Sequence, residues 1–279
     1  MEPDKERYTA LISVYGKENF SFFETALNSI QLQTIRPTQI VIVKDGPLDD
    51  QLEKVIAKFK IIFLKENIEC IIKENKVNRG LGYSLNKGLK FSSEELVARF
   101  DSDDINEPKR MEKTLEVFQS NKTLSVVGSY IDEFNEDSKV PLTKRTVPVT
   151  YGKIKSESNS RNPMNHMSVT LRKIDIEKVG GYEDVPYFED YYLWMKLIKS
   201  GYKLVNIPEV LVHARANASF YKRRTGFSYL KKEIHFQYLL VSGHMISGLV
   251  FLRNIIMRGG ARLLSPKKIR LIYRLLRKD

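Results

Sequence analysis

The 279-residue chain has one cysteine, Cys70, set in the apolar run IECII. A lone thiol excludes an internal disulfide, and its surroundings fit a reduced thiol in the core. No run of about 18 apolar residues occurs, so no membrane span is expected. The amino terminus, MEPDKERY, mixes charges and has no apolar h-region, so no secretory signal is expected and the reading is cytoplasmic. Only four histidines occur (166, 213, 235 and 244). None sits in an HExxH or paired ligand spacing, which favours structural roles. GxSxG is missing, and with it the nucleophile elbow. The glycines of NRGLGYSLNKG (78–88) lack the Lys-[Ser/Thr] of a P-loop. No internal repeat and no low-complexity segment is visible.

What is present is a soluble globular composition, 42% hydrophobic with a mean hydropathy of −0.33. The net charge of +12 is unevenly placed. From Lys222 to Asp279 there are fourteen Lys+Arg and two Asp+Glu, so residues 1–221 balance. The shift marks a boundary near residue 220: residues 1–220 read as the main domain and 221–279 as a basic region suited to an anionic partner.

Apolar runs alternate with helical patterns in the first half. Strands are expected at 9–15, 40–43, 68–73 and 96–100. Between them, helices are expected around 22–30, at 52–59 and at 82–91, and another from Pro108. Runs this apolar fit an α/β fold with a mainly parallel sheet covered by helices. In the second half, 124–134 and 166–171 read as strands, 144–162 as polar and irregular, and 188–200 as a helix closed by Gly201.

Ligands of open α/β sheets bind beyond the carboxyl ends of the strands. Asp45 follows IVIVK there, and ARFDSDD (98–104) follows the fourth strand with three aspartates in four positions. Asp45 fits either a turn before glycine or a ligand contact. In extended backbone, Asp101 and Asp103 face one way and Asp104 the other. The first two suit a hard divalent cation and Asp104 suits a helix cap. Arg79 could meet a phosphate or a base. In FEDYYLW (188–194), Glu189 and Asp190 serve either as helix-dipole partners or as a general base among aromatics.

Taken together, ISVYGKEN, IVIVKDGP, NRGLGYSLNKGL, ARFDSDD, NPMNHMSVTLRK, VGGYED and FEDYYLWMKLIKSGYKLVNIPEVLV resemble the inverting family-2 glycosyltransferases of GT-A fold. The likeness is to bacterial exopolysaccharide, capsule and lipopolysaccharide enzymes of the amylovoran type. It implies a Rossmann-like, mixed but mainly parallel sheet with a basic helical carboxyl-terminal extension. It implies a UDP-sugar donor, a glycan or lipid-linked oligosaccharide acceptor, and Mn²⁺ or Mg²⁺. By resemblance, Asp45 reads the uracil, Asp101 contacts the nucleoside, Asp103 ligates the metal and Asp190 is the general base. Ser13, Tyr15 and Glu18 lie where the first loop approaches the nucleotide. Two departures stand out. Tyr192 occupies a position that is commonly acidic, which leaves Glu189 as the only substitute for Asp190. A histidine common after the last strand is replaced in VHARAN by Asn217, with His213 upstream. RxxRW, the mark of processive synthases, is absent.

Residues 263–279 read as a basic amphipathic helix with Ile269, Ile272, Leu275 and Leu276 on one stripe. That suits an anionic membrane surface at the inner face of the cytoplasmic membrane. It suits equally a helix packed on the domain, or a homodimer. Two competing readings are weaker. A sugar-1-phosphate nucleotidyltransferase wants a glycine-rich first loop with a basic residue. A nucleic-acid-binding module is at odds with the neutral, acidic-edged first 221 residues.

Overall fold

Strand β1 (Tyr8–Tyr15) is buried almost throughout and lies between two parallel neighbours, β2 (Gln39–Asp45) and β4 (Leu96–Phe100). The structure, a computed structural model, describes residues 7–135, 138–215 and 226–259. The sheet runs β3-β2-β1-β4-β8-β6-β9-β5, with β7 (Ser138–Arg145) paired to β6. β3 (Glu69–Glu74) extends the parallel half. β8 (Thr170–Arg172) is antiparallel to both β4 and β6 (Leu124–Asn135), so β6 runs in the direction of β4. β9 (Lys203–Arg215) pairs parallel to β6, and the two-residue β5 (Ile105–Asn106) closes the edge.

Helices cover both faces, as the expected α/β class requires. α1 (Phe20–Gln31) is capped by Asn19, whose Oδ1 accepts from the Ser21 amide at 2.8 Å. It buries Phe23, Ala26, Leu27 and Ile30 against one face of the sheet, together with Phe59 and Phe63 of α2 (Asp50–Lys65). α3 (Leu81–Phe91) and α7 (Glu189–Lys199) cover the other face, with Leu85, Leu89, Leu193, Trp194 and Leu197 in its core. Each such side chain contributes roughly 1.5–3 kcal/mol on burial. Cys70 packs beside the first core, and burial pushes its thiol up to about 11, consistent with an inert thiol.

Three expectations need correction. Residues 166–168 form a single 3₁₀ turn and only Thr170–Arg172 is strand, because the side chains of Asn165 and Ser168 take backbone partners in place of a ladder. The 144–162 stretch contains the end of β7 and α5 (Tyr151–Glu157), which buries little besides Ile154. α4 runs Arg110–Ser120, two residues after Pro108. The short α6 (Lys173–Lys178) follows β8 directly.

After β9, α8 (Phe227–Ser242) packs on α7 through parallel-stacked Phe188 and Phe236 rings, 4.5 Å apart. α9 (Gly248–Asn254) follows, continued by a π-helical turn over Ile255–Gly259. Glu233 of α8 is fully buried and is held by Arg258 Nε at 3.0 Å. Asn217 and the helix expected over 263–279 lie outside the described residues.

Candidate active site

The carboxyl ends of β1, β2 and β4 meet at one edge. Tyr15 is opposite Asp45 in the β1–β2 register. Asp45 is buried, and its carboxylate organises the loop beyond β3. Oδ1 accepts from Asn75 Nδ2 at 2.9 Å and the Arg79 amide at 2.8 Å, and Oδ2 accepts from the Gly80 amide at 2.9 Å. Gly80, at φ +88°, uses a backbone conformation that glycine enters without strain. The Arg79 guanidinium lies 4.8 Å from the Tyr83 ring centroid, on the exposed side of that loop.

The first loop reaches the aspartate cluster as well. Ser102 Oγ donates to Glu18 Oε2 at 2.6 Å. Ser13, in β1 opposite Val43, is partly buried behind this loop.

Residues 101–104 are bent, not extended, and this overturns the alternation expected for them. Asp104 turns toward Asp101 and Asp103, so one oxygen of each lies within 4.8 Å of the others. The crowding shows in protonation. Burial, with Asp101 and Glu18 nearby, pushes Asp103 up to about 7, and burial with Asp101 and Asp103 beside it holds Asp104 well above the carboxylate range. Among the described residues, Asp104 Oδ2 is buried without a hydrogen-bond partner. Three converging carboxylates with an orphaned buried oxygen are a hard, all-oxygen donor set that fits a divalent cation such as Mg²⁺ or Mn²⁺.

Two arginines brace the cluster, and the sequence signalled neither. Arg99, buried in β4, pairs with Asp101 Oδ1. Arg215, at the end of β9, donates its amide to Asp104 Oδ1 at 2.9 Å and its Nε to the Asp103 carbonyl at 3.1 Å. Its guanidinium lies over the Phe22 ring at 3.8 Å. His213 takes no part. It is held between Asp132 Oδ1 and Glu107 Oε1, both at 2.7 Å, on the β9 edge.

The second acidic site comes from the other face. Asp190 begins α7, and Asn162 Nδ2 donates to its Oδ2 at 2.7 Å. Asn162 belongs to NPMNH, whose polar residues were informative only by resemblance. Tyr182 links the two regions. Its phenol bonds His166 Nε2 at 2.9 Å and feels the charges of Arg99, Asp190, Glu189 and Asp101. Burial raises the phenol far above its usual range, whereas burial and Arg99 hold His166 well below its own, so both are neutral near pH 7. Asn86 of α3 grips the Tyr182 backbone in both directions, accepting from its amide at 2.8 Å and donating to its carbonyl at 2.6 Å. At Gly82 a β-carbon would meet Tyr182 Cβ at 3.3 Å and Glu189 Cβ at 3.6 Å, so α3 starts against the very turn that carries Asp190.

Residues 9–177 match the family profile described as Glycosyl transferase family 2. The chain is 32% identical over 270 residues to the amylovoran biosynthesis glycosyltransferase AmsE of Erwinia amylovora, covering 95% of this chain and 97% of that one. It is 34% identical over 274 residues to an Escherichia coli UDP-Gal:α-D-GlcNAc-diphosphoundecaprenol β-1,3-galactosyltransferase, covering 98% of each. In fold it is similar to the mannosyltransferase PcManGT of Pyrobaculum calidifontis, solved with GDP-Man and Mn²⁺ (TM-score 0.64, 15% identity, 99% of this chain and 76% of that one). It is equally similar to S. aureus TarS with UDP-GlcNAc (TM-score 0.64, 15% identity, 89% and 71%). Both likenesses are to glycosyltransferases of the GT-A type.

Proposed function

The chain belongs to glycosyl transferase family 2, and from that premise we propose that it moves a sugar from a UDP-sugar to a hydroxyl of a lipid-linked glycan, inverting the anomeric centre, in the assembly of a bacterial surface polysaccharide. The observation that carries this reading is that buried Tyr182 feels the charge of both acidic sites, Asp101 of the aspartate cluster and Asp190 of α7.

Asp45 and the Arg79–Tyr83 pair hold the uracil, with Ser13, Tyr15 and Glu18 along the nucleotide and Asp101 at the ribose. Asp103 is the principal metal ligand, and Asp101 and Asp104 are within reach of the same ion. Bound there, Mn²⁺ or Mg²⁺ would neutralise charge developing on the departing diphosphate. Asn162 fixes Asp190 through Oδ2, which leaves Oδ1 to take the proton of the attacking hydroxyl. A single displacement with proton removal on the attacking side gives inversion. The neutral His166–Tyr182 pair offers hydrogen bonds to sugar hydroxyls without adding charge to the cleft.

Work at the membrane is part of the proposal, since the acceptor class is lipid-linked. Among the described residues no helix is long and apolar enough to cross a bilayer. The decisive experiment is UDP release from a panel of UDP-sugars with Mn²⁺, Mg²⁺ or EDTA, followed by transfer to a lipid-diphosphate-linked sugar. Metal-dependent release from at least one donor is expected. Turnover of none, or turnover indifferent to EDTA, would sink the metal-dependent reading.

A further inference from the structure

We propose that the cavity between the Val185–Pro186 turn and α8 holds the diphosphate of an isoprenoid-linked acceptor. This rests on the acceptor class proposed above. The cavity measures about 250 Å³ and is lined by Val185, Pro186, Lys231, Lys232 and His235. Its charged groups are all of one sign or neutral. Among the described residues neither lysine has a carboxylate partner. The only acid of α8, Glu233, is buried and held by Arg258. The cavity wall itself is apolar, and Lys231 and Lys232 flank it with their ammonium groups over the Phe227 and Tyr187 rings, an arrangement that suits a polyanion joined to an apolar chain.

Position agrees with chemistry. Pro186 precedes Asp190 by four residues, so chain length alone keeps the two within about 15 Å. An acceptor sugar lying between them would turn a hydroxyl toward Asp190 and its anomeric phosphate toward Lys231 and Lys232. Tyr187 directly follows Pro186, 41% exposed and at φ +73°, a backbone region that aromatic residues rarely occupy and that clusters at ligand sites. Lys232 Nζ, 4.3 Å from its ring centroid, and the Tyr229 ring, 5.4 Å away, hold it there. The adjoining face of α8 exposes Phe227, Ile234 and Tyr238, spaced seven and four residues apart on one stripe. That stripe offers the isoprenoid chain an apolar path away from the diphosphate.

The test uses the full chain with farnesyl diphosphate as probe, titrated in saturating UDP and Mn²⁺ so that the nucleotide site is filled. Wild type should bind it. The Lys231→Gln/Lys232→Gln double variant should bind at least tenfold more weakly, and a Lys231→Arg/Lys232→Arg variant should stay within about threefold of wild type. Inorganic pyrophosphate should lose affinity in parallel with the probe, and farnesol should not distinguish the proteins. Unchanged farnesyl diphosphate affinity in the Gln variant overturns the proposal. So does an equal loss of UDP affinity, which would make the cavity part of the nucleotide site. Loss confined to flotation with phosphatidylglycerol vesicles overturns it in favour of a lipid-surface patch. Failure of wild type to release UDP from any UDP-sugar tells against glycosyl transfer itself, and the probe titration is scored independently of it.

Discussion

Arg215 grips the aspartate loop twice, through its amide to the Asp104 carboxylate and through its Nε to the carbonyl of Asp103. Arg215→Ala keeps the first bond and loses the second, together with the contacts to Phe22 and Phe134. The expected cost is about 1–3 kcal/mol, from one charge-assisted bond and two cation–π contacts. The Mn²⁺ midpoint for UDP binding should rise about tenfold, and Arg215→Lys should recover little of it, because a lysine cannot reproduce the flat, forked guanidinium. An unchanged Mn²⁺ midpoint would disconnect β9 from the metal loop.

Asp103→Asn should abolish metal-dependent turnover and yet leave the metal-free protein more stable at pH 8. The carboxyl is pushed from 3.8 up to about 7 by burial and by Asp101 and Glu18. An acid with a raised folded value weakens the fold as pH climbs from about 4 toward 7, where the unfolded chain is already ionised and the folded one resists. Removing the charge relieves that penalty. Melting in EDTA should favour the variant by a few degrees at pH 8, with the gap closing near pH 4. A variant that melts lower at pH 8 would contradict the crowding argument.

Asp190→Asn should leave UDP affinity unchanged and slow transfer by roughly 10²-fold or more. Asn162→Ala should slow it less, about tenfold, since it frees the carboxylate without removing it. Collapse of UDP binding in folded Asp190→Asn would reassign the residue to the donor.

His213 supplies a stability term with a definite sign. Partial burial lowers its pKa, but the bonds to Glu107 and Asp132 outweigh this and raise it above 6.5. A raised histidine stabilises fully below the unfolded value and loses that contribution as pH rises through the folded one. His213→Gln should therefore destabilise most at pH 6 and least at pH 9. Equal losses at both values would mean that the imidazole is neutral and only packs.

The first four strands and their helices were legible because each is a short apolar run ending at a polar turn, and the β1–β4 core is built from those runs. The second half hid for physical reasons. α5 buries almost nothing besides Ile154, so it shows no periodicity. In β9, Pro208 cannot donate to the ladder, and the register with β6 jumps from Ile207 to Val210 around it. Asp45, Asp101 and Asp103 stood out as candidates because they follow apolar strand runs. Asp104 was misplaced because alternation presumes extended backbone, and the loop bends. Arg215, and the pairing of Asn162 with Asp190, escaped for another reason. Their partners are 111 and 28 residues away in the chain, and only folding brings them together.

The stacked Phe188 and Phe236 rings bear on anyone seeking a minimal enzyme. The residue just ahead of Asp190's helix is clad by a helix that starts only at Phe227. A chain stopped at 220 would leave Phe188, Tyr191 and Met195 facing water beside the proposed base. The shortest fragment that keeps this aromatic seam shut extends through Arg258, whose guanidinium locks Glu233 beneath it.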